Sequence, residues 1–553
     1  MSITGILRHT VGLFCLLIGI AVVASFCYSC KKNSENQPAI PYHFHGIIPL
    51  PKSVISSEGY LKIDSTTVIV NNTIFTRAID LIENTFSDIM RVKIERKDNP
   101  GTGANIIFTL DGNLLEEQYQ LEIGKQDINI RAGSPRAAFY AAQSLRQMVW
   151  NACAGKKVNE IELGCLKIDD QPAFVWRGLH VDLARHMFTK EYLLKVIDWM
   201  AYYKLNKLHL HLTDDQGWRI QIDQYPLLTE TGAWRDFNSY DSTCLELAKT
   251  DPSYTLDERF TREHNGKRQY GGYYSKQDLA EIITYASAHF IEIIPEIDMP
   301  GHMSSAIRAY PWLSCTDSTG WGADFSYPIC PCNQQTMDFA FNIWDEIIAL
   351  FPSNLVHIGC DEVETTTWSA SPECHAFMLE HNMHSAKEIQ NYFVKQLQSH
   401  LQSKGKTVIA WDDVIEGTID NQLLLMYWRD WVTDSPARCA ANGNSLIISA
   451  AYPFYFSSNN DDQSLEDLYN FKPSDQYNAA VSGKTIGLQG CVWTEIIPSE
   501  AKFEQIVFPA LQALSEASWS STQAWQSFQA RMKPHFNYMD DQGIHYRTPK
   551  WKQ

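Results

Sequence analysis

From about Trp176 onward, short apolar runs alternate with stretches whose apolar residues recur at helical spacing. Short apolar runs that end on polar residues are typical of buried strands, and most of these runs are separated by a helical stretch. Capping boxes mark the start of two of the helices, one at Ser275 with Asp278 and one at Ser385 with Glu388. The pattern therefore predicts eight strands, which are WRGLHVDLAR, KLHLHLTDD, FIEIIPEID, LVHIGCDE, TVIAWDD, LLLMYWR, LIISAAYPFY and IGLQGCVWTE.

Eight strands that alternate with helices predict an α/β fold in the form of a (β/α)8 barrel, or TIM barrel, over residues 173–553. A doubly wound sheet is the alternative, although it rarely needs so many parallel strands. Residues 36–172 have a different pattern, in which the strand-like runs STTVIVNN, ANIIFTL, YQLEIG and DINIRAG precede the amphipathic run SPRAAFYAAQSLRQMVW. This part of the chain predicts a small α+β domain in front of the barrel.

Residues 1–35 have the pattern of a targeting segment. Arg8 and His9 precede the apolar run VGLFCLLIGIAVVASF, which is short for a membrane span, and a small residue precedes Cys30. The segment looks like a bacterial lipoprotein signal and polar tether with lipidation at Cys30, although Cys27 stands where such signals usually have leucine. A transmembrane anchor is the alternative. We therefore expect a lipid anchor in the outer membrane of a bacterial cell envelope, on either face.

Composition narrows the class of partner. The chain of 553 residues has a formal charge of −18 and contains 16 tryptophans. An acidic chain without a basic run argues against a nucleic acid partner, and tryptophan near strand ends suits the apolar faces of carbohydrate. The cysteines behind the signal have no metal-finger spacing, but Cys330 and Cys332 could form a disulfide with a loop partner such as Cys315. Others, such as Cys360 and Cys491, should be packed thiols.

Every predicted barrel strand ends on a polar or aromatic residue, and the active site of such a barrel lies at these C-terminal ends. In LVHIGCDE, the adjacent acids Asp361 and Glu362 follow a strand that is apolar enough to be buried. Neighbouring carboxylates repel and raise a pKa, which folded proteins tolerate mostly where an acid has chemistry to perform. The candidate residues at the rim are Arg185, Asp214, Asp298, His302, Asp361, Glu362, Trp411, Trp428, Tyr455, Trp493 and Glu495.

Six motifs, RGLHVDLARH, HLTDDQGW, PEIDMPGH, HIGCDE, AWDD and VWTE, together resemble those of family 20 glycoside hydrolases, the β-N-acetylhexosaminidases. They occur in the family's order, and YQLEIGKQDINIRAGSPRAAFYAAQSLRQMV resembles the end of the family's N-terminal domain. The resemblance implies an exo-acting, retaining enzyme that removes terminal β-linked GlcNAc or GalNAc from glycans. In this family the 2-acetamido oxygen of the substrate attacks C1 and forms an oxazolinium ion, so catalysis is substrate-assisted.

The resemblance also implies residue roles. Glu362 would be the general acid/base, Asp361 would accept the acetamide N–H, and Tyr455 would donate its phenol to the acetamide oxygen. A non-catalytic glycan-binding lipoprotein is an alternative function, and the presence of this catalytic set argues against it. The remaining implied contacts are Trp411, Trp428 and Trp493 around the acetamide methyl and the sugar face, and Arg185 and Glu495 at the outer hydroxyls.

Asp214 and His302 resemble the family's supporting pair, which would be linked to the general acid by hydrogen bonds. The neighbouring Asp215 could take the place of Asp214 or could cap the following loop. His209 and His211 form an H-x-H pair that would suit a metal-dependent barrel hydrolase. No downstream set of ligands supports that alternative, so we expect neither a metal nor a cofactor.

Two positions depart from the family's usual pattern. Cys360 stands where glycine is common before the catalytic pair, and a small side chain should be tolerated there. Ser457 stands where the family often has an aspartate close to O6 of the sugar, and that carboxylate would repel an anionic group on O6. Ser457 therefore predicts that 6-O-sulfated GlcNAc is accepted. In the alternative, the segment NNDD from Asn459 to Asp462 supplies the missing contact and the substrate is unsulfated.

Overall fold

The computed structural model describes residues 46–522 and 524–552. The predicted signal and tether, residues 1–35 with the lipidation site Cys30, lie outside the described residues and stay predictions. Within the described ranges, no helix combines the length and the apolar character that crossing a membrane requires.

The first part of the described chain is a seven-stranded sheet with two helices. All four predicted strands and the predicted helix are present, and the structure adds β1, β3, β7 and a further helix. The missed strand β1 has mostly exposed side chains and a bulge between Ser56 and Tyr60, so its apolar alternation is weak. The elements are β1 (Ser53–Ile63), β2 (Val68–Val70), helix Thr76–Ile89, β3 (Glu95–Lys97), β4 (Asn105–Leu110), β5 (Tyr119–Ile123), β6 (Asp127–Ala132), helix Pro135–Cys153 and β7 (Ile161–Asp170).

The strands of the second part include all eight that the sequence predicts, together with five short strands in the loops. The first two barrel strands are β8 (Trp176–Asp182) and β9 (Lys207–His211). The loop strands are β10 (Thr213–Asp214), β11 (Gly217–Trp218), β12 (Trp234–Asp236), β13 (Thr261–His264) and β14 (Lys267–Gly271). The other barrel strands are β15 (Glu292–Glu296), β16 (Leu355–His357), β17 (Thr407–Trp411), β18 (Leu424–Tyr427), β19 (Leu446–Ile448) and β20 (Thr485–Val492).

The eight barrel strands are parallel and close on themselves, because β20 pairs with β8 and β9 pairs with β15. Closure confirms the predicted TIM barrel and excludes the doubly wound sheet, which has open edges. Large apolar side chains fill the barrel interior, among them Trp176, Ile294, Ile409, Met426 and Ile447. The polar residues that follow each strand therefore lie together above this core.

Helices follow most barrel strands, with two differences from the prediction. The connection from β17 to β18, all of it described, holds only the 3-10 turn Asp412–Glu416. Ser275 and Asp278 form the predicted capping box, but the helix predicted to begin after Ser385 begins one residue later, at Lys387, with Ala386 as its N-cap and no side-chain cap. The main helices are Lys190–Tyr202, Ser239–Leu247, Lys276–Ala288, Ser304–Ala309, Gln334–Leu350, Pro372–Glu380, Lys387–Ser403, Ser435–Asn442, Asp462–Asn470, Ala479–Lys484, Glu500–Val507, Ala510–Trp519 and Trp525–Asp541.

One disulfide closes a loop within the connection that follows β15, and a second joins that connection to the one that follows β16. Cys315 is bonded to Cys330, which confirms the predicted loop pairing, and Cys332 is bonded to Cys374. Cys360 and Cys491 are buried free thiols, as expected from their positions in apolar segments.

Candidate active site

The two adjacent carboxylates lie on a turn directly after β16, where the backbone is repeatedly left-handed. Gly359, Cys360 and Glu362 have φ values of +67°, +75° and +51°. Successive side chains of a strand point to opposite faces, and these residues bend the backbone so that Asp361 and Glu362 both line one cavity. The buried carboxyl of Asp298 holds the turn, because its Oδ1 accepts a hydrogen bond from the Cys360 N–H at 2.9 Å.

Asp361 is almost buried, and one of its oxygens is available as an acceptor. Its side chain is 11% exposed, and Oδ1 has no hydrogen-bond partner among the residues that the structure describes. Burial raises the pKa of Asp361 to about 7, with added repulsion from Asp413 and Glu362 and an opposing attraction from His302. The like-charge repulsion expected for adjacent acids therefore acts on Asp361, where burial has the larger effect.

Glu362 is the more accessible acid, and it contacts His302. Its side chain is 31% exposed, and Oε2 lies 3.3 Å from Nε2 of His302. On the other side of the ring, Nδ1 lies 3.4 Å from Oδ1 of Asp214. Burial lowers the pKa of His302, but the carboxylates around it, Asp214 foremost, raise it well above its usual range. The predicted supporting pair is therefore aligned with Glu362, but through ion-pair contacts rather than the expected hydrogen bonds, whose geometry they do not reach.

The doubled acids Asp214 and Asp215 divide between two tasks. Asp214 is the nearer to His302, because Oδ2 of Asp215 is 3.7 Å from the same ring nitrogen. Oδ1 of Asp215 accepts hydrogen bonds from the Ser304 N–H at 3.0 Å and the Ser326 hydroxyl at 2.9 Å. Asp215 therefore fixes the loops that follow, and Asp214 is the better placed to support His302.

Carboxylates hold the guanidinium of Arg185 at the cavity wall. Its nitrogens lie 2.8 Å from Asp214, 3.2 Å from Asp182 and 3.9 Å from Glu495. Burial lowers the pKa of Arg185, but Asp214 and Asp182 raise it well above its usual range, so the fork stays charged. Arg185 and Glu495 lie side by side in the cavity, an arrangement that can bind two neighbouring hydroxyls.

A cavity of about 610 Å³ occupies the space above the barrel core, and three aromatic residues form part of its wall. The rings of Trp428 and Tyr455 are nearly parallel with centroids 6.2 Å apart, and the Trp493 ring lies 5.8 Å from Tyr455. Burial raises the pKa of Tyr455 well above its usual range, so the phenol keeps its proton and can donate a hydrogen bond. These three residues stand where the sequence predicts a wall.

Trp411, which the sequence also predicts for the wall, lies deeper than these three aromatic residues. It is 1% exposed and packs among the barrel-core residues, beneath Trp428, Tyr455 and Trp493. Its indole N–H donates to Oε1 of Glu296 at 2.7 Å, and its ring centroid is 6.0 Å from that of Trp493. As the last residue of β17, Trp411 points into the barrel and supports the wall from below.

The cavity continues away from the strand ends into a part that loops provide, here called the loop side. It is lined by Tyr254, Ser457, Ser458, Asn460 and Lys502. Ser457 is the residue that departs from the family's usual aspartate, so the structure places it in the cavity as the sequence predicts. Tyr254 and Lys502 belong to no motif, and sequence reasoning missed them because neither directly follows an apolar strand run.

Asp413 was also missed, although it connects two parts of the site. Its Oδ1 accepts a hydrogen bond from the Glu362 N–H at 3.3 Å, and its Oδ2 accepts one from the Trp428 indole at 2.7 Å. Burial, with repulsion from Asp412, raises the pKa of Asp413 to about 6. The doubled acid in AWDD, at the end of a buried strand, was the available signal.

His209 and His211 lie in the barrel interior around Glu296, away from the cavity lining. Oε2 of Glu296 is 2.6 Å from His211 and 3.1 Å from His209. Together with His180, some of these ligand atoms lie within 4.8 Å of one another, which is close enough to hold an ion. Although burial lowers the pKa of His211, Glu296 and Asp214 raise it well above its usual range, so a charged ring already balances the Glu296 carboxylate. The expectation of a metal-free enzyme stays a prediction.

The sequence model of the catalytic domain of glycosyl hydrolase family 20 matches residues 174–522, and the model of domain 2 of that family matches residues 45–171. The chain belongs to glycosyl hydrolase family 20. This family 20 enzyme is 30% identical to a beta-hexosaminidase of Porphyromonas gingivalis over 94% of the chain and 67% of that protein. It is 28% identical to a beta-hexosaminidase of Akkermansia muciniphila over 77% of the chain and 84% of that protein.

A solved structure gives the same result for the fold of this family 20 enzyme. It is an exo beta-N-acetylglucosaminidase from Vibrio harveyi in complex with N-acetylglucosamine, and it matches with a TM-score of 0.79 at 28% identity. The match covers 94% of the chain and 80% of the Vibrio protein. The family that the sequence motifs predict is confirmed, and the protein is a glycoside hydrolase.

Proposed function

We propose that this glycoside hydrolase is an exo-acting, retaining β-N-acetylhexosaminidase that removes terminal β-linked GlcNAc or GalNAc by substrate-assisted catalysis. The observation that carries the proposal is the buried oxygen Oδ1 of Asp361, which has no partner in the described part of the chain. It lies in the same cavity as Glu362 and the phenol of Tyr455. A buried acceptor without a partner is costly, and an acetamide N–H would satisfy it.

The reaction would begin with Glu362 giving its proton to the leaving glycosidic oxygen. As the bond to C1 breaks, the acetamide oxygen bonds to C1 and an oxazolinium ion forms, with positive charge near the amide nitrogen. Asp361 would stabilise that charge, and Tyr455 would hold the acetamide oxygen in line. Water would then attack C1 while Glu362 takes its proton, which returns the β configuration.

The test compares leaving groups. Glu362→Gln should lose about 10²–10⁴-fold in kcat/KM on natural glycosides, because the leaving oxygen is no longer protonated. The loss should be smaller for an aryl glycoside with an activated phenol. A thiazoline analogue of the oxazolinium ion should inhibit the wild type, and Asp361→Asn and Tyr455→Phe should each weaken that inhibitor.

Two results would argue against the proposal. Equal losses of kcat/KM for Glu362→Gln on both kinds of substrate would show that Glu362 is not the general acid. Detection of a covalent glycosyl-enzyme by mass spectrometry would show that a protein side chain, and not the substrate's acetamide, is the nucleophile.

The proposal extends to sulfated substrates, because the usual aspartate near O6 is Ser457 here. The segment Asn459–Asp462 does not replace it with a carboxylate in the cavity. The Asn459 amide donates to the carbonyls of Ala451 and Tyr455, Asp461 caps the helix that follows, and Asp462 pairs with Arg547. We therefore propose that the enzyme accepts GlcNAc-6-sulfate.

Sulfate acceptance is tested by kcat/KM on aryl GlcNAc and its 6-sulfate, with the wild type and Ser457→Asp. The substitution should lower the sulfated-to-unsulfated ratio, because it returns a like charge to a partly desolvated position. Rejection of the sulfate by the wild type, or an unchanged ratio in Ser457→Asp, would contradict the extension without touching the hexosaminidase proposal.

We also propose that the enzyme is attached to the outer membrane by a lipid on Cys30. Disulfides persist in oxidising compartments outside the cytoplasm, so the two loop disulfides support an envelope location. In a bacterial host, Cys30→Ala should move the activity from the membrane fraction to the soluble fraction. Activity that stays in the membrane fraction would favour a transmembrane anchor.

A further inference from the structure

The loop side of the cavity carries a lysine, Lys502, that no described carboxylate contacts directly, although its charge helps hydrogen bonds from Ser253 to lower the pKa of Asp251 nearby. The Lys502 ammonium lies over the Tyr254 ring, 4.2 Å from its centroid, and 3.5 Å from Oε1 of Gln505. Over the described ranges 46–522 and 524–552, no carboxylate oxygen comes within ion-pair distance of it. Lys502 is half-buried, so a cation faces the cavity without a carboxylate in direct contact.

Neighbouring contacts hold this lysine in place. Gln505 bridges the loops, because its carbonyl accepts from the Asn460 amide at 3.3 Å and its side chain lies 3.4 Å from the Ser253 hydroxyl. The Lys502 backbone N–H donates to the Ser499 hydroxyl at 3.1 Å. A cation over an aromatic ring and beside a tethered amide is limited in its motion, so little entropy is lost when it binds an anion.

The other cationic side chains in the cavity, Arg185 and His302, already have carboxylate partners. Arg185 is paired with carboxylates, and His302 lies between Asp214 and Glu362. A neutral sugar would leave the Lys502 ammonium without a directly bound anion as it displaces water from the cavity. An anionic substituent that reaches the loop side would compensate it, with the hydroxyl of Ser457 and the amide of Asn460 as further donors.

We infer that Lys502 is a specificity-determining residue that binds a sulfate ester on O6 of the terminal N-acetylglucosamine, so that the sulfated sugar is preferred and not merely tolerated. The inference rests on the proposed hexosaminidase function. It goes beyond the loss of a repulsive carboxylate at Ser457, because it assigns an attractive partner to the anion.

The experiment measures kcat/KM for three aryl glycosides, those of GlcNAc, GlcNAc-6-sulfate and 6-O-methyl-GlcNAc. The wild type should prefer the sulfate over the methyl ether, which fills space at O6 without charge. Lys502→Met should lower the sulfated-to-unsulfated ratio by about 10-fold or more, chiefly through KM, as expected when a hydrogen bond to a charged group is lost. Lys502→Arg should restore most of the ratio.

A matched control separates the local contact from the net charge. Lys395 is exposed on the barrel helix Lys387–Ser403 and takes no part in the site, so Lys395→Met changes the total charge by the same amount. It should leave the ratio unchanged. Rising salt should reduce the ratio for the wild type and for Lys395→Met, but hardly for Lys502→Met.

Each remaining outcome has a separate meaning. If the wild type cleaves GlcNAc but does not prefer the sulfate over the methyl ether, the inference is wrong and the hexosaminidase function stands. An unchanged ratio in Lys502→Met would likewise overturn it. If none of the three glycosides is cleaved, the proposed function fails and the inference fails with it.

Discussion

At the scale of single residues, the site combines groups whose burial raises their pKa with groups that are held charged by their neighbours. Asp361 and Asp413 belong to the first kind, and His302 and Arg185 to the second. This separation lets neighbouring residues differ in protonation at one pH, which acid–base chemistry requires. Burial raises the pKa values of both Asp361 and Asp413, so their ionised forms are less stable in the folded protein than in the unfolded chain. The site should therefore lower the stability of the fold at neutral and alkaline pH.

Asp361→Asn should show this cost. With its pKa at about 7, folded Asp361 keeps a proton that the unfolded chain releases near pH 4. The stabilisation from that proton is full below the unfolded pKa and is lost as the pH rises toward 7. Asparagine cannot ionise, so the melting temperature should rise by about 2–4 °C at pH 8 and by much less at pH 5.

The matched control is Asp88→Asn, on the exposed surface of helix Thr76–Ile89. Thermal unfolding of both variants and the wild type at the two pH values makes the comparison. A gain for Asp361→Asn that is equal at pH 5 and pH 8 would mean that the ionisation of Asp361 is not its cause.

At the scale of elements, the turn after β16 depends on a glycine. Gly359 has a φ of +67°, and a Cβ there would lie 1.8 Å from Oδ1 of Asp298. Gly359→Ala must therefore displace Asp298 and the turn that carries Asp361 and Glu362. Geometry errors of about 1 Å at reacting groups can cost about 100-fold, so we expect at least that loss in kcat/KM, together with a lower melting temperature.

Gly405 provides the control for this substitution. It has a φ of +79°, but a Cβ there would meet no atom within 4 Å. Gly405→Ala pays only the left-handed backbone cost of about 1–2 kcal/mol and should keep full activity. If both alanine variants behave alike, close approach at Gly359 is not what positions the acids.

The strands β8, β9 and β15 also place a cluster of histidines around Glu296 inside the barrel, and some of its ligand atoms are close enough to hold a metal ion. Burial lowers the pKa of His209 to about 4, so its ring is neutral, while the charged His211 compensates Glu296. Because the cluster is balanced without an ion, treatment with a chelator should change neither activity nor melting temperature. Loss of activity that Zn²⁺ restores would instead show that the cluster holds a metal.

At the scale of the whole molecule, the sequence predicts which residues lie at the strand ends. It predicts less well which side chains from different parts of the chain come into contact there. Asp361, Tyr455 and Arg185 were found because each follows an apolar run, and a closed barrel brings such positions together. The sequence does not predict how deeply Trp411 is buried, because the direction of a side chain at the very end of a strand depends on the tilt and stagger of the barrel strands. Lys502 and Tyr254 were not found, because only tertiary contacts between distant loops bring them to the cavity.

A buried ion pair joins the sheet domain to the barrel. Asp170 ends β7, and its carboxylate lies 3.2 Å from the buried ammonium of Lys204 in the barrel and 2.9 Å from the indole nitrogen of Trp519. Removing one partner of a buried ion pair costs about 3–5 kcal/mol, because the other charge stays buried and unpaired, whereas replacing both costs much less. Calorimetry should therefore show a clear loss of unfolding free energy for Asp170→Asn and for Lys204→Met. The loss for the double variant should be smaller than the sum of the two single losses.

The exposed pair Lys167–Glu122, in the same sheet, is the control and should show a coupling energy below about 1 kcal/mol. If the buried pair couples no more strongly than this surface pair, the Asp170–Lys204 contact does not hold the two domains together.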